Sequence, residues 1–226
     1  MDSNVFSMIS EAFRTGGIWM WAITGVQIVA MAIIAERFFQ LFVLRAPNQR
    51  KVVRDFENEL RTGKLDRALQ AKAPMGRSQP IYSVIQTSAL VASQMGGREE
   101  IQSKVEEILV NEDEKLSKRT GYLAVLANVS TLLGLLGTII GLIESFSSVV
   151  NLNAAEKAKI LTQGISLAMN TTAYGLIVAI PTLVVYALLQ SRSSAISDDL
   201  YQASLKIYNW LGFGFESIPK KKIGRG

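Results

Sequence analysis

Hydrophobic residues come in blocks along this chain. Three stretches, Ile18–Ala35, Tyr122–Ile143 and Ile165–Leu189, contain no Asp, Glu, Lys or Arg. Each nears or exceeds the ~20 residues that a helix needs to cross a bilayer core, so each predicts a membrane span. A long hydrophilic region from about Glu36 to Thr120 separates the first two, and a short connector, Glu144–Gly164, joins the second and third. Within the hydrophilic region the pattern predicts helices over Arg50–Leu60 and Lys64–Ala71, parted by a turn at Thr62–Gly63. Pro74, Gly76 and Pro80 mark a break, and a further helix covers Ile81–Met95 before Gly96–Gly97. From Arg98 to Thr120 there is no Gly or Pro, and Ile101, Val105, Ile108, Leu109 and Leu116 recur at helical spacing. This helix is expected to run on into the second span.

The expected fold class is therefore an all-α membrane protein, with three transmembrane helices, a helical cytoplasmic domain, and the second span continuous with a long cytoplasmic helix. The expected parts are an N-terminal periplasmic or interfacial segment (1–17), the first span (18–43), the cytoplasmic helical region (44–120), the second span (121–145), a periplasmic connector (146–163), the third span (164–190), and a cytoplasmic C-terminal helix with a basic tail (191–226). The first span reads as a retained anchor. It is too long for the apolar core of a cleaved leader, and Met1–Gly17 carries Arg14 as its one base.

Charge sets the orientation. Lys and Arg number 24 against 19 Asp and Glu, a net charge of +5. The bases gather in the long hydrophilic region and in a tail with Arg192, Lys206, Lys220, Lys221, Lys222 and Arg225, whereas the N-terminal segment and the connector hold Arg14, Lys157 and Lys159. The positive-inside rule then puts the N-terminus and connector outside, with the large loop and tail in the cytoplasm of a bacterial inner-membrane, multi-pass protein. Acids and bases interleave without a recognition motif, so anionic lipid rather than nucleic acid is the expected contact. The basic end, Lys220–Arg225, is expected to lack regular structure. The chain has no cysteine and no histidine, which excludes disulfides, thiolate or imidazole metal sites, and Cys or His catalysis. No enzymatic constellation, metal or cofactor is expected.

Membrane helices associate through close packing of small residues and a few hydrogen bonds. Thr131, Gly134, Thr138, Gly141 and Ser145 fall at spacings of three and four along one face of the second span, and Gly137 pairs with Gly141. In the third span Ala168, Thr172, Gly175, Ala179, Thr182 and Tyr186 repeat the arrangement. Most of these glycines and alanines read as helix contacts. Thr138 and Thr172 admit two readings, as helix contacts or as pore-facing hydroxyls that pass hydrogen bonds along a water wire. Thr131, Asn170 and Thr171 are further pore candidates, and Thr171 adds a hydroxyl that could coordinate a cation, so sodium stays open beside the proton. Pro181 cannot donate to Ile177 and is expected to kink the third span, as passive geometry or as a hinge. Glu144 at the end of the second span reads either as a cation attractor or as an ordinary interfacial acid. No Asp, Glu, Lys or Arg lies within the three apolar stretches, so any titrating acid at membrane depth must belong to a partner.

Here the chain resembles the MotA/TolQ/ExbB proton-channel family, its TolQ/ExbB-like branch above all. Leu132–Phe146, LLGLLGTIIGLIESF, is similar to that family's LLGLLGTVxGxxxSF, and GISLAMNTTAYGLIVAIPTLVVY over Gly164–Tyr186 is similar to GIAEALxATAxGLxxAIPAVxxY. The resemblance implies a motor stator subunit driven by ion (proton) motive force, five copies forming a ring around two single-span ExbD/TolR-like proteins. The partner's membrane-embedded Asp would carry the proton, with Thr138 and Thr172 matching the threonines that face it. Force would reach a TonB/TolA-like or motility component of the envelope. Leu167 stands where the pattern has Glu, and Thr171 where Ala commonly precedes Thr. Two alternatives of other classes remain at this point: a non-conducting oligomeric membrane scaffold that recruits partners, and a stand-alone ion channel.

Overall fold

The computed structural model describes residues 17–44, 49–62, 65–71, 80–94, 97–149 and 153–215. The N-terminal segment, Gly63, Pro74, Gly76, Gly96 and the tail Lys220–Arg225 lie outside them. The described residues are helical apart from turns and contain no strand. In chain order the elements are α1 (Gly17–Phe38), a π-helical turn (Phe39–Leu44), α2 (Gln49–Asp55), α3 (Glu57–Thr62), α4 (Asp66–Leu69), α5 (Pro80–Ser93), α6 (Arg98–Ser117), α7 (Thr120–Ser147) and α8 (Ala154–Phe215). Contacts group them into two units, Met1–Arg37 with Arg119–Leu189, and Phe38–Lys118 with Gln190–Gly226.

The first unit holds the apolar stretches. Gly17–Phe42, Arg98–Ser147 and Ala154–Leu211 are helical runs long and apolar enough to cross a membrane. Between 17% and 28% of the positions in their apolar windows are buried within the chain, so most of that apolar surface faces outward. Trp21, Ile28, Met31, Leu132, Ile139, Ile177 and Leu188 are among the large side chains left exposed. A contiguous apolar surface of this kind requires lipid or other chains around it. Pro181 sits within α8, whose helix continues through it, and the adjacent Thr182 donates its hydroxyl to Val178 O at 2.7 Å. Helix α8 starts ten residues ahead of the expected third span and extends, unbroken, to Phe215.

The run from α6 into α7 contains a two-residue joint. Lys118 is extended (φ −47°, ψ 131°) and Arg119 adopts the left-handed conformation (φ 62°), which sequence periodicity gave no reason to expect. A non-glycine residue there carries a steric cost of about 1–2 kcal/mol. Arg119 donates to both carboxylate oxygens of Glu36 on α1, each at 2.8 Å, which ties the joint to its own unit. Half of the Arg119 side chain is exposed, so solvent screens the pair and it contributes at most about 1 kcal/mol. Arg119→Gly should therefore leave stability within about 1 kcal/mol of the parent, since relief of the backbone cost offsets the lost pair. Arg119→Val, β-branched and uncharged, should lose about 2 kcal/mol. Thermal unfolding of the detergent-solubilised protein measures both, and equal losses would mean that the left-handed conformation is not what matters.

The second unit is a small helical core. Val53, Leu60, Ile81, Val84, Ile85, Ile101, Val105, Leu200 and Ile207 are buried there. The single helix expected over Arg50–Leu60 is divided at Phe56, where a turn separates α2 from α3. Phe56 turns inward to meet Tyr82 edge-on at 6.3 Å, with the Arg67 guanidinium 5.6 Å from its ring centre. Burying an aromatic at this position outweighs one turn of continuous helix, because such a ring removes 150–250 Å² from water, as an order of magnitude. The helix expected over Lys64–Ala71 is reduced to α4, and Gln86 of α5 donates to its last carbonyl, Leu69 O, at 3.1 Å.

Candidate functional site

The two stripes of small and hydroxyl residues face each other within one chain, along the contact of α7 with α8. A β-carbon placed on Gly175 would lie 2.7 Å from Ser130 O and 3.2 Å from Gly134 Cα, and one on Gly134 would lie 3.0 Å from Thr171 O. Gly141 abuts Ala168, where an added β-carbon would come within 3.2 Å of the alanine methyl. The glycines let the two backbones approach closely, and Ser130 uses that approach to donate to Gly175 O at 3.1 Å. Ala179 is buried on the same helix, whereas Pro181 is exposed.

At the middle of this contact the structure brings Thr138 and Thr172 together, their hydroxyls hydrogen-bonded to each other. Thr138 Oγ1 is also 3.2 Å from Gly134 O and 3.0 Å from Ala168 O, and Thr172 Oγ1 is 3.0 Å from Gly134 O. Two hydroxyl protons are thus shared among two carbonyl oxygens and the hydroxyl oxygens themselves. More acceptors than protons means that the hydrogen bonds can be redistributed without moving a helix, leaving a lone pair or a proton to offer outward. Both side chains are half-buried, so that outward direction is open.

The other candidates divide. Thr171 is buried, donates to Ala168 O at 2.7 Å, and packs against the bare face of Gly137. Thr131 returns its hydroxyl to Ala127 O of its own helix at 3.2 Å, and Asn170 is exposed. A crevice of about 130 Å³ runs among α1, α7 and α8, bounded by Trp19, Gly137, Gly141, Leu167 and Thr171, with Glu144 at its edge. The position that carries Glu in the resembling pattern therefore presents Leu167 to this crevice, while the carboxylate there comes from α7. Among the described residues no group of three metal-ligating side chains occurs.

Sequence reasoning missed Ser130, Thr24, Gln27 and Tyr174. Thr24 and Gln27 interrupt an otherwise apolar span, three residues apart, and that was the available signal. Tyr174 donates to Gln27 Oε1 at 2.8 Å and lies 3.2 Å from Thr24 Oγ1, linking α1 to α8.

The chain is similar in sequence and fold to known proteins. The family model described as the MotA/TolQ/ExbB proton channel family matches residues 77–202. A biopolymer transport protein ExbB homolog of Methanothermobacter thermautotrophicus is 28% identical over 92% of this chain and 71% of its own length. The Tol-Pal system protein TolQ of Haemophilus influenzae is 38% identical over 39% of this chain and 38% of its own length, so that alignment takes in well under half of either protein. The solved structure of C. jejuni MotAB is similar in fold, with a TM-score of 0.63 over 93% of this chain and 90% of that one, at 15% identity.

Proposed function

Because this chain belongs to the MotA/TolQ/ExbB proton channel family, we propose that it is the channel-forming stator subunit of an ion-driven motor in the inner membrane. Five copies surround two copies of a single-span ExbD/TolR-like partner, the N-terminus and the α7–α8 connector facing the periplasm. The partner's membrane acid takes up and releases the proton beside Thr138 and Thr172, and the motion reaches an envelope protein of TonB/TolA or motility type. The observation that carries this reading is the Thr138–Thr172 pair, a rearrangeable hydrogen-bond group within apolar stretches that hold no Asp, Glu, Lys or Arg. A proton or small cation at that depth needs such groups around it. Thr171 and Glu144 line the crevice among α1, α7 and α8, whereas Thr138 and Thr172 lie outside its lining. Thr131 and Asn170 belong at most to the periphery of this path.

A non-conducting scaffold would use the small-residue stripes to close its oligomer. Those stripes are occupied within one chain, α7 against α8, so they lend it no support. The outward apolar surface of the spans is what neighbouring copies and lipid would cover. Co-expression with a single-span protein of ExbD/TolR type, followed by native mass spectrometry of the purified assembly, tests the proposal. A five-to-two complex is expected, and a homo-oligomer that never takes up the partner would overturn it.

A further inference from the structure

One polar cluster in the spans plays no part in the path just proposed. Thr24 and Gln27 of α1 both meet Tyr174 of α8. The phenol donates to Gln27 Oε1, and the Thr24 hydroxyl is shared between Met20 O at 2.8 Å and the phenol oxygen at 3.2 Å. Tyr174 follows Thr172 by two residues, a rotation of about 200° and a rise of about 3 Å along a helix. The two side chains therefore leave α8 from nearly opposite sides at one level, Thr172 bonded to α7 and Tyr174 bonded to α1.

The contact of α7 with α8 is close around this level: Gly134 and Gly175 bring the two backbones together, and Thr171 seats against Gly137. Glycine packing brings backbones close but resists rotation of one helix against the other only weakly. The bonds from Ser130 to Gly175 O and from Thr172 to Gly134 O hold α8 from one side, and a directional bond from its other side to α1 opposes rotation about them, with no water in a span to compete. We infer that Tyr174, held by Gln27 and Thr24, is a positioning residue that sets the rotation of α8 and so keeps the Thr172 hydroxyl on Thr138. Its consequence for ion passage rests on the function proposed above; its consequence for geometry does not.

The absence of native cysteine makes the geometry directly measurable. In the full chain carrying Thr138→Cys and Thr172→Cys, the rate of disulfide formation under a mild oxidant reports how the two positions face each other. Adding Tyr174→Phe, which keeps the ring, or Gln27→Leu should slow cross-linking about threefold, the factor that loss of one interhelical hydrogen bond in a membrane protein represents. The two changes together should slow it no further than Tyr174→Phe alone, since loss of the phenol hydroxyl already removes the contact with Gln27. An unchanged rate in both single variants would overturn the inference. In the cysteine-free chain complexed with its partner, Tyr174→Phe should lower ion flux at unaltered complex yield, and unaltered flux there together with unaltered cross-linking would count against it twice. Slower cross-linking with intact flux would leave the positioning role standing and overturn instead the passage of ions beside Thr172.

Discussion

Gly175→Ala should separate α7 from α8 and lower the stability of the protein by about 3 kcal/mol, the sum of overpacking and a stranded hydroxyl. The added methyl would sit 2.7 Å from Ser130 O and 3.2 Å from Gly134 Cα. Both neighbours are backbone atoms, which cannot swing aside as the end of a long side chain would. The helices must move apart, and then Ser130, fully buried, loses Gly175 O as its acceptor. For a chain of this size the loss corresponds to a fall of roughly 6–12 °C in the midpoint of thermal unfolding. Gly25 is the internal control. A β-carbon there meets nothing within 4 Å, so Gly25→Ala should not destabilise. Differential scanning of the two purified variants in the same detergent decides the matter. A Gly175→Ala protein as stable as Gly25→Ala would mean that the close approach of the two backbones is not what holds the bundle.

Thr172→Val should behave in the opposite way, keeping the fold and losing the activity. Valine matches threonine in shape, and Gly134 O retains the Thr138 hydroxyl at 3.2 Å, so no buried acceptor is stranded. Stability should change by no more than about 1 kcal/mol. The hydroxyl itself is gone, and with it half of the group that redistributes protons between α7 and α8. Ion flux through the complex with its single-span partner should fall about tenfold, equivalent to roughly 1.4 kcal/mol on the barrier. Thr172→Ser retains the hydroxyl and should keep most of the flux. Proteoliposome flux assays at matched protein content give the comparison. Equal flux in the Val and Ser variants would make Thr172 a packing residue and remove the observation on which the proposed path depends.

These two residues lie one helical turn apart, yet they call on different physics. Gly175 matters through the absence of atoms, and Thr172 through one hydroxyl. The distinction explains why the resemblance to family patterns could match both positions without saying what either contacts. A pattern such as TTAYGL records residue types along one helix. It carries no record of the helix opposite.

The chain's own residues determined much on their own. Blocks of apolar residues without charge required helices that satisfy their backbone internally, and three such blocks gave three spans. Helical period placed Thr138 and Thr172, with Gly134 and Gly175, on narrow faces, because residues three and four apart share a face whatever surrounds them. Tertiary structure alone decided that the two faces meet within one chain and that the threonine hydroxyls bond to each other. It also decided that Thr171, a single position away, turns inward to Gly137. Periodicity likewise could not show Phe56 dividing a helix to reach Tyr82, Arg119 turning left-handed beside Glu36, or Tyr174 reaching α1. Each of these is a choice between local helix geometry and a partner distant in sequence, and a linear pattern contains the first of those energies but not the second.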